Sequence, residues 1–230
     1  MRSTGICQDW SAYTTTDHQV WATLYRRRMA TLRRTASRTF LEGLDAIGLR
    51  EDRVPDLDDV NRRLAPRTGW RAIPVDGFLP AGEFFASLAR REFPTTVTVR
   101  PPDQLEYLPE PDIFHDVFGH VPLHANPAFA DFLQDFGARA AQAGPEELVG
   151  YTRLFWFTIE FGLVREEGEV RIYGSGLISS EKDAANALGP HCERRPFSRA
   201  AVMAQDFRVD DIQPVLFVVE GLDQLLGGRS

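Results

Sequence analysis

The chain has 230 residues, of which 43% are hydrophobic and 11% aromatic, and this is ample for the core of one compact domain. Its formal net charge of -7 argues against a nucleic-acid or anionic-membrane surface. With only Cys7 and Cys192, and no uncharged apolar run of the roughly 18 residues that a membrane span needs, we expect an unexported cytoplasmic protein without a disulfide framework.

Helical periodicity dominates the first part of the sequence. Apolar residues at three- and four-residue spacing over 17–48 predict a helix that breaks near Thr35, preceded by an N-terminal tail over 1–16. Two prolines between 54 and 66 leave little room for a long element, and a short loop-and-strand region follows Gly69. The pattern then predicts a helix over 83–91 and a strand over 96–100, in which Arg100 points away from the valines.

The second half contains further helices and short strands. Asn126 is predicted to cap a helix that begins at Pro127 and runs to about Ala143. The apolar stretch 151–166 is long for a strand and favours a buried helix. A short strand over 169–173, a capping box at Ser180 and a strand over 215–219 before a terminal helix complete the prediction. The expected fold class is mainly α with a few short strands (α+β), in a single domain over 17–230.

Two histidines and a glutamate are candidate metal ligands. His115 and His120 lie five residues apart, and Glu160 lies in the apolar stretch, where an unpaired buried carboxylate would be unfavourable unless a cation offsets it. Two imidazoles and one carboxylate with open coordination positions are typical of non-haem Fe(II) oxygenases. Because a five-residue spacing leaves side chains about 140° apart on an ideal α-helix, the segment must bend, unwind or bulge near Gly119.

Other interpretations of these residues stay open. A single histidine is more often a core or surface residue than a ligand, and two histidines with a glutamate can also form the catalytic zinc site of a hydrolase. The zincin motif, however, has a four-residue spacing and a glutamate after its first histidine, whereas Asp116 follows His115 here. His124 lacks a companion carboxylate, which favours a surface or supporting position. A metal-stabilised binding protein without catalysis is a further alternative.

Three sequence blocks resemble the pterin-dependent aromatic amino acid hydroxylases, especially the short bacterial phenylalanine hydroxylases. The blocks are Pro111-Asp112-x-x-His115-Asp116-x-x-Gly119-His120-x-Pro122, Trp156-Phe157-Thr158-Ile159-Glu160-Phe161-Gly162 and Arg171-Ile172-Tyr173-Gly174-Ser175-Gly176-Leu177-Ile178-Ser179-Ser180. They occur in the family's order and spacing, and the similarity extends from about Asp17 to Leu226. The resemblance implies a catalytic domain that uses Fe(II), a tetrahydropterin such as tetrahydrobiopterin, and O₂ to hydroxylate a free aromatic amino acid.

The resemblance also implies a role for individual residues. The iron ligands, and thus the catalytic centre, would be His115, His120 and Glu160. The pterin would contact Leu79 through its backbone, Phe84 by stacking, and Asp116 through water. The substrate-binding residues would be Arg100, Asp112, Trp156, Phe161 and Ser179. Among these, Arg100 would hold the substrate carboxylate by two parallel hydrogen bonds and Asp112 would orient it. Trp156 and Phe161 would form walls of the aromatic pocket, with Ser179 close to the iron.

Two positions depart from the family pattern. Leu108 stands where the animal enzymes carry a substrate-contacting threonine, and Phe155 replaces a usual tyrosine. L-Phenylalanine to L-tyrosine is the expected reaction, while tryptophan hydroxylation or 3-hydroxylation of phenylalanine in secondary metabolism stay alternatives. We expect a protein without the regulatory domain and tetramerisation helix of the animal enzymes. We therefore expect a monomer that binds the amino acid, pterin and O₂, but no nucleic acid or membrane.

Overall fold

A computed structural model of the protein describes residues 6–106, 110–209 and 211–226. The α-helices are α1 (Thr15–Thr35), α2 (Arg38–Ile47), α3 (Leu57–Thr68), α4 (Ala81–Ala89), α5 (Pro127–Gln142), α6 (Pro145–Phe155), α7 (Ser175–Ser179), α8 (Glu181–Leu188) and α9 (Arg199–Ala204). The strands are β1 (Arg71–Val75), β2 (Glu92–Thr96), β3 (Leu163–Glu166), β4 (Glu169–Ile172), β5 (Glu193–Pro196) and β6 (Val215–Val219). Phe114–His120 and Trp156–Glu160 are π-helices, and Trp10–Ala12, Val121–Ala125 and Leu222–Leu226 are 3-10 helices.

The predicted fold class, mainly α with a few short strands, is confirmed. The first helical stretch ends at Thr35, and Ser37 then begins α2 by accepting a hydrogen bond from the backbone N–H of its third residue. Asn126 and Ser180 cap α5 and α8 in the same way, as predicted. These boundaries follow from local signals, which is why the sequence predicts them well.

Three local predictions are wrong. The proline-containing stretch forms α3, because Asp56 caps it and Pro66 falls in the last turn, where a missing N–H removes little. The strand predicted over 96–100 is instead β2, which ends at Thr96, opposite the last residue of its partner β1. The stretch 151–166 is not one helix: it passes from α6 through a π-helix into β3, which a tight turn with positive φ at Glu167 and Gly168 joins to β4.

The four-stranded sheet supports the second π-helix. Its strand order is β4-β3-β6-β5, with β3 antiparallel to β4 and parallel to β6. The ring of Phe217 on β6 packs edge-on against the ring of Phe157, with centroids 5.4 Å apart. This contact between two buried rings fixes the helix that ends at Glu160.

An aromatic cluster holds the first π-helix in the core. Phe114 and Phe118 stack with their centroids 4.6 Å apart, and the Trp21 ring packs edge-on against Phe114 at 5.3 Å. All three side chains are at most 1% exposed, so one side of the π-helix is firmly embedded. Among the described helices, none is long and apolar enough to cross a membrane.

The segment before α1 packs on the domain. The Gln8 side chain donates to the Pro55 carbonyl at 2.9 Å and accepts from the Leu57 N–H at 2.8 Å. The Trp10 indole N–H donates to the Val54 carbonyl at 2.8 Å. Residues within the stretch 1–16 therefore hold the beginning of α3.

Candidate metal centre

The first π-helix brings His115 and His120 to one side of the chain. A π-helix closes its hydrogen bonds between residues i and i+5, so side chains five residues apart lie nearly above one another. The predicted distortion of the helix is confirmed in this form. Gly119, however, contributes by its size and not by an unusual backbone angle, because an added Cβ would lie 3.1 Å from Ser175 on α7.

Glu160 completes a compact group of three possible ligands. One ligand atom from each of His115, His120 and Glu160 lies within 4.8 Å of the others. Glu160 Oε1 is 2.9 Å from His120 Nε2, and Glu160 Oε2 is 3.6 Å from His115 Nε2. Imidazole and carboxylate donors at these separations fit a divalent iron ion, which leaves further coordination positions open.

The electrostatic environment keeps the Glu160 carboxylate ionised. Burial alone would raise its pKa, but the neighbouring histidines, together with hydrogen bonds from His120 and Ser175, lower the pKa to about 2. No lysine or arginine in the described ranges forms a salt bridge with Glu160, so the two imidazoles are its charged or chargeable partners. An ionised carboxylate facing two imidazoles is a suitable site for a cation.

Two serines of α7 contact two of the three possible ligands. Ser179 Oγ lies 2.9 Å from His115 Nδ1, and Ser175 Oγ donates to Glu160 Oε2 at 2.8 Å. The resemblance points to Ser179 but not to Ser175. The helical spacing of four residues between them was the available signal, since residues i and i+4 share one helix face.

We expect Ser175→Ala to weaken metal binding by about 10- to 100-fold, because groups that orient ligands typically contribute that much. Anaerobic titration of the metal-free protein with Fe(II) measures the effect. The matched control is Ser11→Ala, since Ser11 is exposed and bonds only to Asp9 in the described structure. Equal affinities for the wild type and Ser175→Ala would contradict the supporting role.

Arg100 and Asp112 form a buried ion pair beside the histidines. Arg100 Nε and Nη2 donate to the two Asp112 carboxylate oxygens at 2.8 and 2.9 Å. Burial alone would raise the pKa of Asp112, but Arg100 and backbone N–H groups hold it below its usual value. Asp112 also accepts the backbone N–H of His115 at 3.0 Å, which links the arginine to a possible ligand. The prediction that Arg100 lies on one face of a strand is wrong, because β2 ends at Thr96 and Arg100 follows it.

The three possible ligands line a cavity of about 470 Å³, a volume typical of small-molecule sites. It brings together the predicted residues, apart from Asp112, which lies behind Arg100. The predicted residues that line it are Leu79, Phe84, Arg100, His115, Asp116, His120, Trp156, Phe161, Glu160 and Ser179. Phe155 also lines it, whereas Leu108 lies outside the described residues.

Aromatic contacts fix two walls of the cavity. The Phe84 ring packs edge-on against Phe155, with centroids 5.2 Å apart. Trp156 lies between Phe161, at 4.8 Å, and Phe207, which stacks on it at 4.4 Å. Phe207 was not anticipated, because its contact with Trp156 joins segments about fifty residues apart.

Asp116 is held by a second residue that the sequence did not indicate. Its Oδ2 accepts the Thr96 backbone N–H at 2.7 Å and the Thr96 hydroxyl at 2.8 Å. Burial raises the pKa of Asp116 in spite of these bonds and of the nearby histidines. A buried carboxyl with a raised pKa that lines a cavity is suited to holding or exchanging a proton.

His124 is a core residue: of the two positions expected for it, surface or supporting, the structure excludes the surface. It is 1% exposed, and its ring lies 4.6 Å from the Trp70 ring and 4.9 Å from the Phe93 ring. Burial, with a smaller contribution from His120, lowers its pKa to about 3. His124 is therefore neutral in the folded protein at neutral pH and lies outside the group of three ligands.

We expect His124 to make the folded protein sensitive to acid. In the unfolded chain its pKa returns to about 6.5, so below that pH the unfolded state binds a proton that the folded state excludes. Stability is therefore lost as the pH falls from about 6.5 towards 3, by about 3 kcal/mol between roughly pH 7 and pH 4.

Urea unfolding at several pH values tests this expectation. His124→Leu should flatten the acid limb of the stability curve relative to the wild type. The same substitution at the exposed His191 is the control. Parallel curves for the wild type and His124→Leu would contradict the prediction.

Comparison with known proteins agrees with this site. The family model for the biopterin-dependent aromatic amino acid hydroxylases matches residues 9–226. A phenylalanine-4-hydroxylase from Pseudomonas aeruginosa is 41% identical over 213 residues, which cover 93% of this chain and 81% of that protein.

Two crystal structures of phenylalanine hydroxylase from Chromobacterium violaceum are also similar. The one with bound iron(III) and oxidised 7,8-dihydrobiopterin has a TM-score of 0.95 and 39% identity, and the match covers 99% of this chain and 84% of that one. The one with iron and phenylalanine has a TM-score of 0.93 and 38% identity, with coverage of 100% and 84%. The matched family, the shared fold and the arrangement of histidines and glutamate agree, and the chain belongs to the biopterin-dependent aromatic amino acid hydroxylases.

Proposed function

We propose that this protein is an iron- and tetrahydropterin-dependent monooxygenase that hydroxylates L-phenylalanine at the 4-position to give L-tyrosine. The observation that carries the proposal is the group of three ligands at the base of a cavity that also contains a buried arginine and an aromatic wall. Relatives named phenylalanine-4-hydroxylase, and a similar structure with bound iron and phenylalanine, support this substrate.

His115, His120 and Glu160 would hold the iron. Bound iron, with a reduced pterin and O₂, would supply the oxidising power for inserting one oxygen atom into the ring. The protein's own contribution is to fix three ligands on one side and leave the other side open to the cavity. Ser175 and Ser179 would keep the Glu160 oxygen and the His115 ring in the orientation for binding.

Arg100 would bind the substrate carboxylate. A guanidinium has five N–H donors, and the described structure uses three of them: two for Asp112 and one for the Leu105 carbonyl at 3.2 Å. One N–H on each terminal nitrogen is left, and this pair matches the two oxygens of a carboxylate. Because Asp112 fixes the plane of the guanidinium, little rotational freedom has to be lost when the substrate binds.

Phe84, Leu79 and Asp116 would bind the pterin. The Phe84 ring lines the cavity and is held by edge contacts with Phe155 and Phe93, which leaves an aromatic surface suited to stacking. The Leu79 backbone would provide hydrogen bonds to the ring. The Asp116 carboxyl is buried and held by Thr96. It would form a hydrogen bond to the pterin through water or exchange a proton with it.

Trp156 and Phe161 would hold the aromatic ring of the substrate. Their flat surfaces favour a phenyl ring by burial and stacking, and they keep water away from the reacting atoms. Phe207 supports this wall from behind, since it stacks on Trp156. The fixed arginine at one end and the aromatic wall near the ligands would together set which ring carbon lies closest to the iron.

The test is anaerobic loading of the protein with Fe(II), followed by tetrahydropterin, O₂ and, in three separate reactions, phenylalanine, tyrosine or tryptophan. Product isomers are separated by chromatography and identified by mass spectrometry. We expect L-tyrosine, formed in proportion to the pterin oxidised. Absence of any hydroxylated product would refute the function. Formation of 3-hydroxyphenylalanine would keep the family and refute the ring position, and hydroxytryptophan as the main product would keep the family and refute the substrate. Zinc-loaded protein is the control for hydrolytic chemistry.

We also propose that the protein acts as a cytoplasmic monomer that binds neither nucleic acid nor membrane. Its negative net charge and its two unpaired cysteines support this proposal. Light scattering coupled to size-exclusion chromatography measures the mass, and a dimer across a concentration series would refute the monomer.

A further inference from the structure

Arg28 is a buried charge that does not line the cavity but contacts one of its supporting helices. It belongs to α1, and it is 3% exposed. An arginine is rarely buried to this extent unless its donors are satisfied. Its hydrogen bonds therefore indicate what it does.

The guanidinium of Arg28 binds the carboxyl end of α7. Nε donates to the Ile178 carbonyl at 2.7 Å, and Nη2 donates to the Leu177 carbonyl at 3.0 Å. Carbonyl groups in the last turn of a helix have no partner within that helix, and the helix dipole favours a positive charge there. Both accepting residues are fully buried, so water cannot replace the arginine.

The same short helix carries both serines of the candidate metal centre. Ser175 bonds to Glu160, and Ser179 bonds to His115, so α7 contacts two of the three ligands. A displacement of α7 by a fraction of an ångström would lengthen both bonds together. Arg28 is thus connected to the ligands by one rigid turn of helix.

We propose that Arg28 is a positioning residue for the metal centre: by binding the last carbonyls of α7 it sets the positions of Ser175 and Ser179 and, through them, of Glu160 and His115. This inference rests on the proposed iron site. The planar guanidinium can reach two neighbouring carbonyl oxygens at once, whereas a lysine ammonium is a compact charge that lacks the fork. The role accordingly requires arginine and not merely a cation.

Metal affinity tests the proposal separately from turnover. Four metal-free proteins are titrated anaerobically with Fe(II): the wild type, Arg28→Lys, Arg28→Met and a control, Arg34→Met. The control removes an exposed arginine from the same helix. Each variant is also unfolded thermally without metal. We expect Arg28→Met to raise the Fe(II) Kd by about 10-fold, at the lower end of the effect of groups that touch ligands, and Arg28→Lys to fall between it and the wild type. The KM for phenylalanine should change little.

A double-mutant cycle identifies the route of the effect. If Arg28 acts through α7, then in a protein already carrying Ser175→Ala and Ser179→Ala, Arg28→Met should change the Fe(II) Kd by less than about 2-fold. Additive effects, or a lower unfolding temperature with unchanged Kd, would overturn the proposal and leave Arg28 a purely structural residue. Should Arg28→Met not fold, Arg28→Lys carries the same comparison. A wild type that binds no Fe(II) would refute the proposed function itself, whereas tight and equal binding by all variants would refute only the role of Arg28.

Discussion

Glu160→Gln is expected to abolish turnover and to lower Fe(II) affinity by well over about 100-fold, more than the loss of a supporting residue produces. The substitution keeps the volume of the side chain and an oxygen that can accept the Ser175 hydroxyl hydrogen bond at 2.8 Å. What it removes is the negative charge, and with it the main attraction for a divalent cation between the two imidazoles. The change should therefore affect metal binding far more than folding.

Metal content after dialysis and anaerobic titration measure this effect. Glu110→Gln is a suitable control, because Glu110 also lines the cavity but does not belong to the group of three ligands. Because the histidines and Ser175 lower the pKa of Glu160, its charge also stabilises the metal-free fold near neutral pH, and its loss should lower the unfolding temperature of the metal-free protein modestly. Unchanged iron content in Glu160→Gln would refute the ligand assignment.

Asp112→Asn is expected to destabilise the fold by about 3–5 kcal/mol and to raise the KM for phenylalanine. Breaking a buried pair leaves Arg100 as an uncompensated charge, and this is more unfavourable than the loss of the bond itself. The asparagine amide lacks the negative charge by which Asp112 attracts Arg100, so the guanidinium is no longer fixed in one plane. Substrate binding would then have to order the arginine.

Urea unfolding and steady-state kinetics measure the two effects independently. Asp52→Asn is the matched control, because Asp52 also bonds to arginines, Arg50 and Arg53, but on the exposed surface. Solvent screening makes such surface pairs contribute little, so we expect no clear change in stability for that variant. If Asp112→Asn and Asp52→Asn behaved alike, the buried pair would have no special importance for the site.

Local signals in the sequence predict much of the fold and the chemistry of the site. The caps at Asn126 and Ser180 act within three residues, and they mark helix starts that the structure confirms. The five-residue spacing of the histidines is also a local signal. It concerns the geometry of a single helical turn, and it therefore predicts the distorted helix.

Features that depend on distant partners were not predictable in the same way. The end of β2 depends on where β1 stops, and the single helix predicted over 151–166 ends where the chain must join a sheet. Thr96, Ser175 and Phe207 act on residues between 15 and about fifty positions away. No periodicity records such contacts.

The π-helix at Phe114–His120 gives the spacing of its histidines a more general meaning. On an α-helix, residues four apart share a face, and on a π-helix residues five apart do so. The spacing in sequence between two ligands that share one face of a helix therefore indicates how many residues that helix has per turn. An α-helix with ligands four apart and a π-helix with ligands five apart solve the same geometrical problem. Deleting one residue between His115 and His120 would demand a change of helix type as well as of length.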